Sequence, residues 1–73
     1  MPVLTFDRAA MRRIREERGV SRQELADRVG RHASSIKRWE HGIKTPLLDT
    51  IGRLADALGV EYTALITRAE VAE

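Results

Sequence analysis

The side chains best suited to chemistry in this chain lie between Ser21 and Gly42, in the stretch SRQELADRVGRHASSIKRWEHG. Ser34, Lys37 and Arg38 fall on the polar side of a short helical pattern whose inner side is marked by Ile36 and Trp39. A guanidinium such as that of Arg38 presents two parallel N–H donors that match guanine O6 and N7, a contact worth about 1–3 kcal/mol of discrimination. The Ser34 hydroxyl donates or accepts and so reads base edges permissively, and Ala33 suits a thymine methyl. Lys37 shares the face of Arg38, although it and Arg31 are better suited to phosphate than to a base. On an isolated helix the same charges would simply be solvated. Here a second amphipathic pattern precedes them across the turn Val29-Gly30-Arg31. Two such patterns make a helix-turn-helix, which needs one helix pinned by apolar residues and an exposed face for base edges. The chemistry expected is the reading of duplex DNA.

Phosphate contacts are expected around that reader. Arg22 stands at a helix N-terminus, where backbone N–H groups and the dipole already favour an anion, and a guanidinium there adds a bidentate clamp. His41 and Lys44 extend the basic surface into the following loop. Trp39 invites comparison with a base-stacking platform, but its spacing of three from Ile36 assigns it to the core. Other chemistries find little support. His32 and His41 are nine residues apart, with no cysteine and no suitably placed carboxylates, so no metal site is expected. No phosphate-binding glycine loop, nucleophile elbow or carboxylate pair is present, and a domain this small has little room for a substrate cleft. Neither enzymatic activity nor a cofactor is expected.

The elements that must position these residues read as helices throughout. With 73 residues and no cysteine, the chain is expected to form one domain, 1–73, stabilised by helix packing or oligomerisation rather than by disulfides. Thr5 or Asp7 caps a first helix carrying Phe6, Ala10, Met11 and Ile14, and Gly19 stops it. Ser21 and Glu24 form an S-x-x-E capping box for a second helix with Leu25, Ala26 and Val29 inward, ended by Gly30. A third helix runs from about Ala33 to His41, weakly capped by His32, and stops at Gly42. A fourth follows Pro46 with Leu47 or Leu48, Ile51, Leu54, Ala55 and Leu58, and ends at Gly59. A short fifth spans roughly Tyr62 to Thr67, and the tail 68–73 is expected to fray. No confident strand is expected, so the fold class is a compact five-helix all-α domain with its helix-turn-helix at about 21–42. Charge is uneven along it: residues 1–44 hold eleven basic and six acidic side chains (+5), the remainder two and five (−3). One end is thus suited to a polyanion. No apolar run approaches a membrane span and the first ten residues lack a signal-peptide layout, so a cytoplasmic protein is expected.

The segments I-R-E-E-R-G-V-S-R-Q-E-L-A, I-K-R-W-E-H-G and P-L-L-D-T-I-G-R-L-A-D-A-L-G-V, in this order and spacing, resemble the lambda-repressor-like, XRE-type helix-turn-helix family from about Met11 to Ile66. The resemblance implies that the start of the third helix enters the major groove, placing Ala33 and Ser34 near base edges, with Lys37 and Arg38 one turn later. It implies backbone contacts from Ser21 and Arg22 and from the loop residues His41, Lys44 and Thr45, and it puts His32 at the cap; Arg31 and His32 are this chain's further phosphate candidates. It pairs Arg15 of the first helix with Glu40. It further implies a bacterial or phage transcriptional repressor acting as a homodimer on a palindromic operator, in the cytoplasm of the bacterium or infected host. Tyr62, Leu65 and Ile66 are the apolar candidates for the dimer surface, or else simply close the monomer core. An antitoxin-like or adaptor module gripping another protein is the alternative. The chain departs from the family at Arg31 (usually apolar), His32 and Leu47 (usually Ser or Thr), Arg22 (usually Gln) and Gly52 within the fourth helix.

Overall fold

In the computed structural model, which describes residues 2–70, the chain runs β1 (Pro2–Phe6), α1 (Arg8–Glu17), α2 (Arg22–Val29), α3 (Ala33–Glu40), α4 (Leu48–Leu58), a 3-10 turn (Tyr62–Leu65) and β2 (Ile66–Glu70). Local chemistry sets each helix start. Asp7 Oδ1 accepts from the Ala10 backbone N–H at 3.0 Å and opens α1. Ser21 and Glu24 form the reciprocal capping box that opens α2. His32 and Leu47 precede α3 and α4 in extended backbone without a side-chain cap bond. Those two helices therefore depend more on packing than on their ends.

Packing closes around one core. Met11 of α1, Leu25 of α2, Ile36 of α3, Leu54 of α4 and Leu65 of the 3-10 turn are its largest fully buried members. Within each helix the buried residues recur at the three- and four-residue spacing that puts one face inward, as at Ile51, Leu54, Ala55 and Leu58 of α4. α2 lies against both α3 and α4, and α1 reaches α3 and the 3-10 turn. Trp39 is buried beside Ile36 in this cluster, as a core residue.

The molecule is mainly helical but not all-α, and the described residues form four α-helices, not five. Pro2–Phe6 pairs antiparallel with Ile66–Glu70, in the register Leu4 opposite Arg68 and Phe6 opposite Ile66. Phe6 is therefore a strand residue, still buried, and Asp7 rather than Thr5 is the cap. The expected fifth helix shortens to a 3-10 turn, because the β-branched pair Ile66-Thr67 enters the ribbon. The Asp7 N–H donates to the Leu65 carbonyl at 2.7 Å and ties the two chain ends together. Residues 68–70 of the expected frayed tail belong to β2. Residues 71–73 lie outside the described part.

Candidate nucleic-acid interface

Gly30 ends α2 in left-handed backbone at φ 70°, and the Arg31 N–H then donates back to the Ala26 carbonyl at 2.9 Å. This closure leaves only residues 30–32 between α2 and α3, and the two helices are held in a tight helix-turn-helix. Burial divides α3 cleanly. Ile36, Trp39 and Glu40 are buried, Ala33 and Ser35 are half-buried, and Ser34, Lys37 and Arg38 are exposed. The sole carboxylate of α3, Glu40, turns inward, so the helix does not neutralise Lys37 and Arg38 from within.

The inward carboxylate is the centre of a charged network. Arg15 grips Glu40 bidentately, Nε to Oε2 at 2.7 Å and Nη2 to Oε1 at 3.1 Å, and its Nη1 donates to the Val20 carbonyl at 3.0 Å. Arg22 Nε adds a third bond to Glu40 Oε1 at 3.1 Å. The Glu40 side chain is fully buried, and that burial is the largest single influence on its ionisation, acting against the charge. The two guanidiniums together outweigh it and hold the carboxyl below its ordinary range. The hydrogen bond to Glu40 in turn raises the Arg15 pKa. The network fixes α1 to α3, and α2 to both.

The residues named for phosphate contact stand at the start of α2, in the turn before α3 and in the loop after it. Ser21 is exposed at the start of α2, its hydroxyl accepting from the Glu24 N–H at 3.0 Å while its own N–H donates to Glu24 Oε1 at 3.4 Å. Arg22 is half-buried with its Nε committed to Glu40. Arg31 is exposed and its Nη2 reaches Thr50 Oγ1 at 3.5 Å, across to α4. His32 is exposed at the head of α3, and His41, Lys44 and Thr45 are exposed at its foot. That foot is shaped by two bonds to the Arg38 carbonyl, from Ile43 N–H at 2.9 Å and Lys44 N–H at 3.4 Å. Tyr62 is exposed and Ile66 half-buried, whereas Leu65 is fully buried in the core and offers nothing to a second chain.

One basic residue escaped the reading of the sequence. The Arg8 guanidinium lies so close to Gly42 that a Cβ there would sit 2.7 Å from its Nη1. Arg8 thus adds a charge from the start of α1 beside the loop His41–Thr45, a contact over 34 positions that no local pattern announces. Among the described residues no cluster of three His, Cys, Asp or Glu side chains is placed to hold a metal ion. No helix among them is long and apolar enough to cross a membrane.

The sequence profile of the HTH_3 helix-turn-helix family matches residues 11–65. A relative named as an uncharacterised HTH-type transcriptional regulator of Sinorhizobium fredii is 34% identical over 55 residues, which cover 75% of this chain and 71% of that protein. A crystal structure of an HTH_3 family transcriptional regulator from Vibrio cholerae superimposes with a TM-score of 0.73 at 23% identity. That match covers 78% of this chain but only 32% of the Vibrio chain, and it establishes likeness of fold.

Proposed function

Since this chain belongs to the HTH_3, XRE-type helix-turn-helix family of DNA-binding transcription regulators, we propose that it binds duplex DNA sequence-specifically by laying α3 in the major groove. One observation carries the reading: Ser34, Lys37 and Arg38 are exposed on a helix whose opposite side, Ile36 and Trp39, is anchored in the core. Arg38 reads a guanine, Ser34 and Ala33 read neighbouring edges, and Lys37 stands beside them. Arg22, Arg31, His32, His41, Lys44 and Thr45, with the Ser21 end of α2, hold the phosphates that flank the groove. Membership of a family of transcription regulators supports a regulatory role.

A single α3 covers too few base pairs for useful specificity. The finer reading is therefore a repressor that acts as a homodimer on a palindromic operator, with half-sites about 34 Å apart on one face of the duplex. Its place of action is the cytoplasm of a bacterium or a phage-infected host. Selection from a random duplex library at fixed, stated salt tests this. A palindromic consensus is the expected result, and enrichment of no sequence would move the function to an adaptor that grips protein.

A further inference from the structure

Arg8 is the first residue of α1, where local chemistry does not favour a cation. The helix dipole opposes positive charge in a first turn, and the neighbouring Asp7 carboxylate is turned to the Ala10 N–H. The other arginines of α1 are engaged: Arg12 with Glu16, Arg13 with Glu17 and Arg15 with the buried Glu40. Arg8 is exposed and enters no salt bridge among the described residues. Its place is set from 34 positions away. A Cβ on Gly42 would stand 2.7 Å from Arg8 Nη1, 2.9 Å from Cζ and 3.2 Å from Nε, so the guanidinium occupies the space that a side chain there would fill. The glycine is its seat. The loop that provides it folds back on α3 through the bonds from Ile43 and Lys44 to the Arg38 carbonyl, and it exposes His41, Lys44 and Thr45.

We propose that Arg8 grips the DNA backbone, holding a phosphate beside those held by the loop after α3. The contact rests on the DNA-reading function proposed above and extends it to the start of α1, outside the residues 11–65 that the family profile matches. A duplex that seats α3 in its groove carries a sugar–phosphate strand past the loop at the foot of that helix. A guanidinium packed against the loop at Gly42 is thereby set beside the same strand. Its anchorage is packing and not a salt bridge, so the parallel N–H donors that match phosphate oxygens remain unspent. Charge selects the ligand as well. Lys44 and Arg38 are exposed on the same loop and helix end, so this surface draws an anion that offers oxygens at several points, as a chain of phosphates does. A cation with no local reason to stand in the first turn of a helix thus gains one.

A phosphate contact carries no sequence information, so a duplex of mixed sequence is a sufficient probe. Fluorescence anisotropy over a salt series compares the full wild-type chain with Arg8→Gln, Arg8→Met and Arg53→Gln. Arg53 is exposed on α4 and is none of the proposed contacts, so its replacement removes the same charge from elsewhere. The expected result is affinity about three- to tenfold weaker in both Arg8 variants, with a salt slope shallower by about 0.9 per bound copy. Arg53→Gln is expected to bind like wild type. Circular dichroism shows which variants are folded, and either Arg8 variant suffices for the comparison. Folded Arg8 variants that keep the wild-type slope overturn the proposal, even where their melting temperature falls, because a clamp on the loop alone leaves the counterion count unchanged. An equal loss in Arg53→Gln overturns it too, since net charge then accounts for the effect. A wild type that binds no duplex removes the DNA reading itself, and this contact with it.

Discussion

Glu40 is the residue on which the geometry of the reading helix turns. Its folded pKa lies below the value of 4.5 that the free side chain would show, because Arg15 and Arg22 stabilise the charge more than burial opposes it. A depressed carboxylate pKa adds stability that is present above the unfolded value and is lost as pH falls through the folded one. Denaturant midpoints measured below pH 4.5 are therefore expected to fall faster in wild type than in Glu40→Gln. The two arginines divide the work. Arg15→Ala leaves a fully buried carboxylate short of its bidentate partner and is expected to cost about 3–5 kcal/mol in denaturant unfolding. Arg22→Ala leaves that bidentate pair intact, and its own side chain is 31% exposed, so its cost in stability is about 1 kcal/mol or less. Its effect belongs to binding: weaker affinity for every duplex and a salt slope shallower by about one per half-site. Arg38→Ala is expected to do the reverse, relaxing preference at one base pair by about 1–3 kcal/mol with little change in slope. The Arg15–Glu40 pair was legible through the family resemblance. The turn of Arg22 toward Glu40 was not, since the contact joins positions 18 apart and follows from how α2 docks on α3.

Among the elements, two glycines separate what local pattern reveals from what it hides. Gly52 lies inside α4 with nothing within 4 Å of where a Cβ would stand. Gly52→Ala is expected to stabilise the fold by about 0.5–1 kcal/mol through helix propensity. In a domain of this size that raises the melting temperature by roughly 2–8 °C. Gly42 has φ +74° and the Arg8 guanidinium against it. Gly42→Ala must hold an L-residue in left-handed backbone, at about 1–2 kcal/mol, and displace Arg8 from the loop that follows α3. Calorimetry of both variants is expected to show melting shifts of opposite sign. The four helices were readable because a 3.6-residue repeat and its stop signals are local, as Gly19, Gly30 and Gly59 illustrate. The ribbon was not. Val3 and Leu4 show no inward–outward alternation, and their partners Ala69 and Arg68 lie at the other end of the chain. Phe6 satisfied the helical spacing by coincidence, and only the Asp7 cap shows where the helix begins.

At the scale of the molecule, charge and symmetry make a joint demand on the salt dependence of binding. Eleven of the thirteen basic side chains precede residue 45, as do all the proposed contacts to DNA except Thr45 itself, and the remainder of the chain carries a net −3. Besides Arg8, Arg22, Arg31 and Lys44 are the three permanently charged phosphate contacts proposed for each copy. Each neutralised phosphate contributes about −0.9 to the slope of log affinity against log salt. Through these three alone, a single copy on a half-site duplex is then expected to show a slope of about −2.7, and a dimer on the full palindrome about −5.4. The comparison is made between a half-site duplex and the full operator, by fluorescence anisotropy over a salt series. A near-doubling means that both copies engage the backbone through the same residues. Equal slopes would mean that the second copy is carried along without touching DNA, and the two-fold operator would lose its physical basis even if the dimer itself persists.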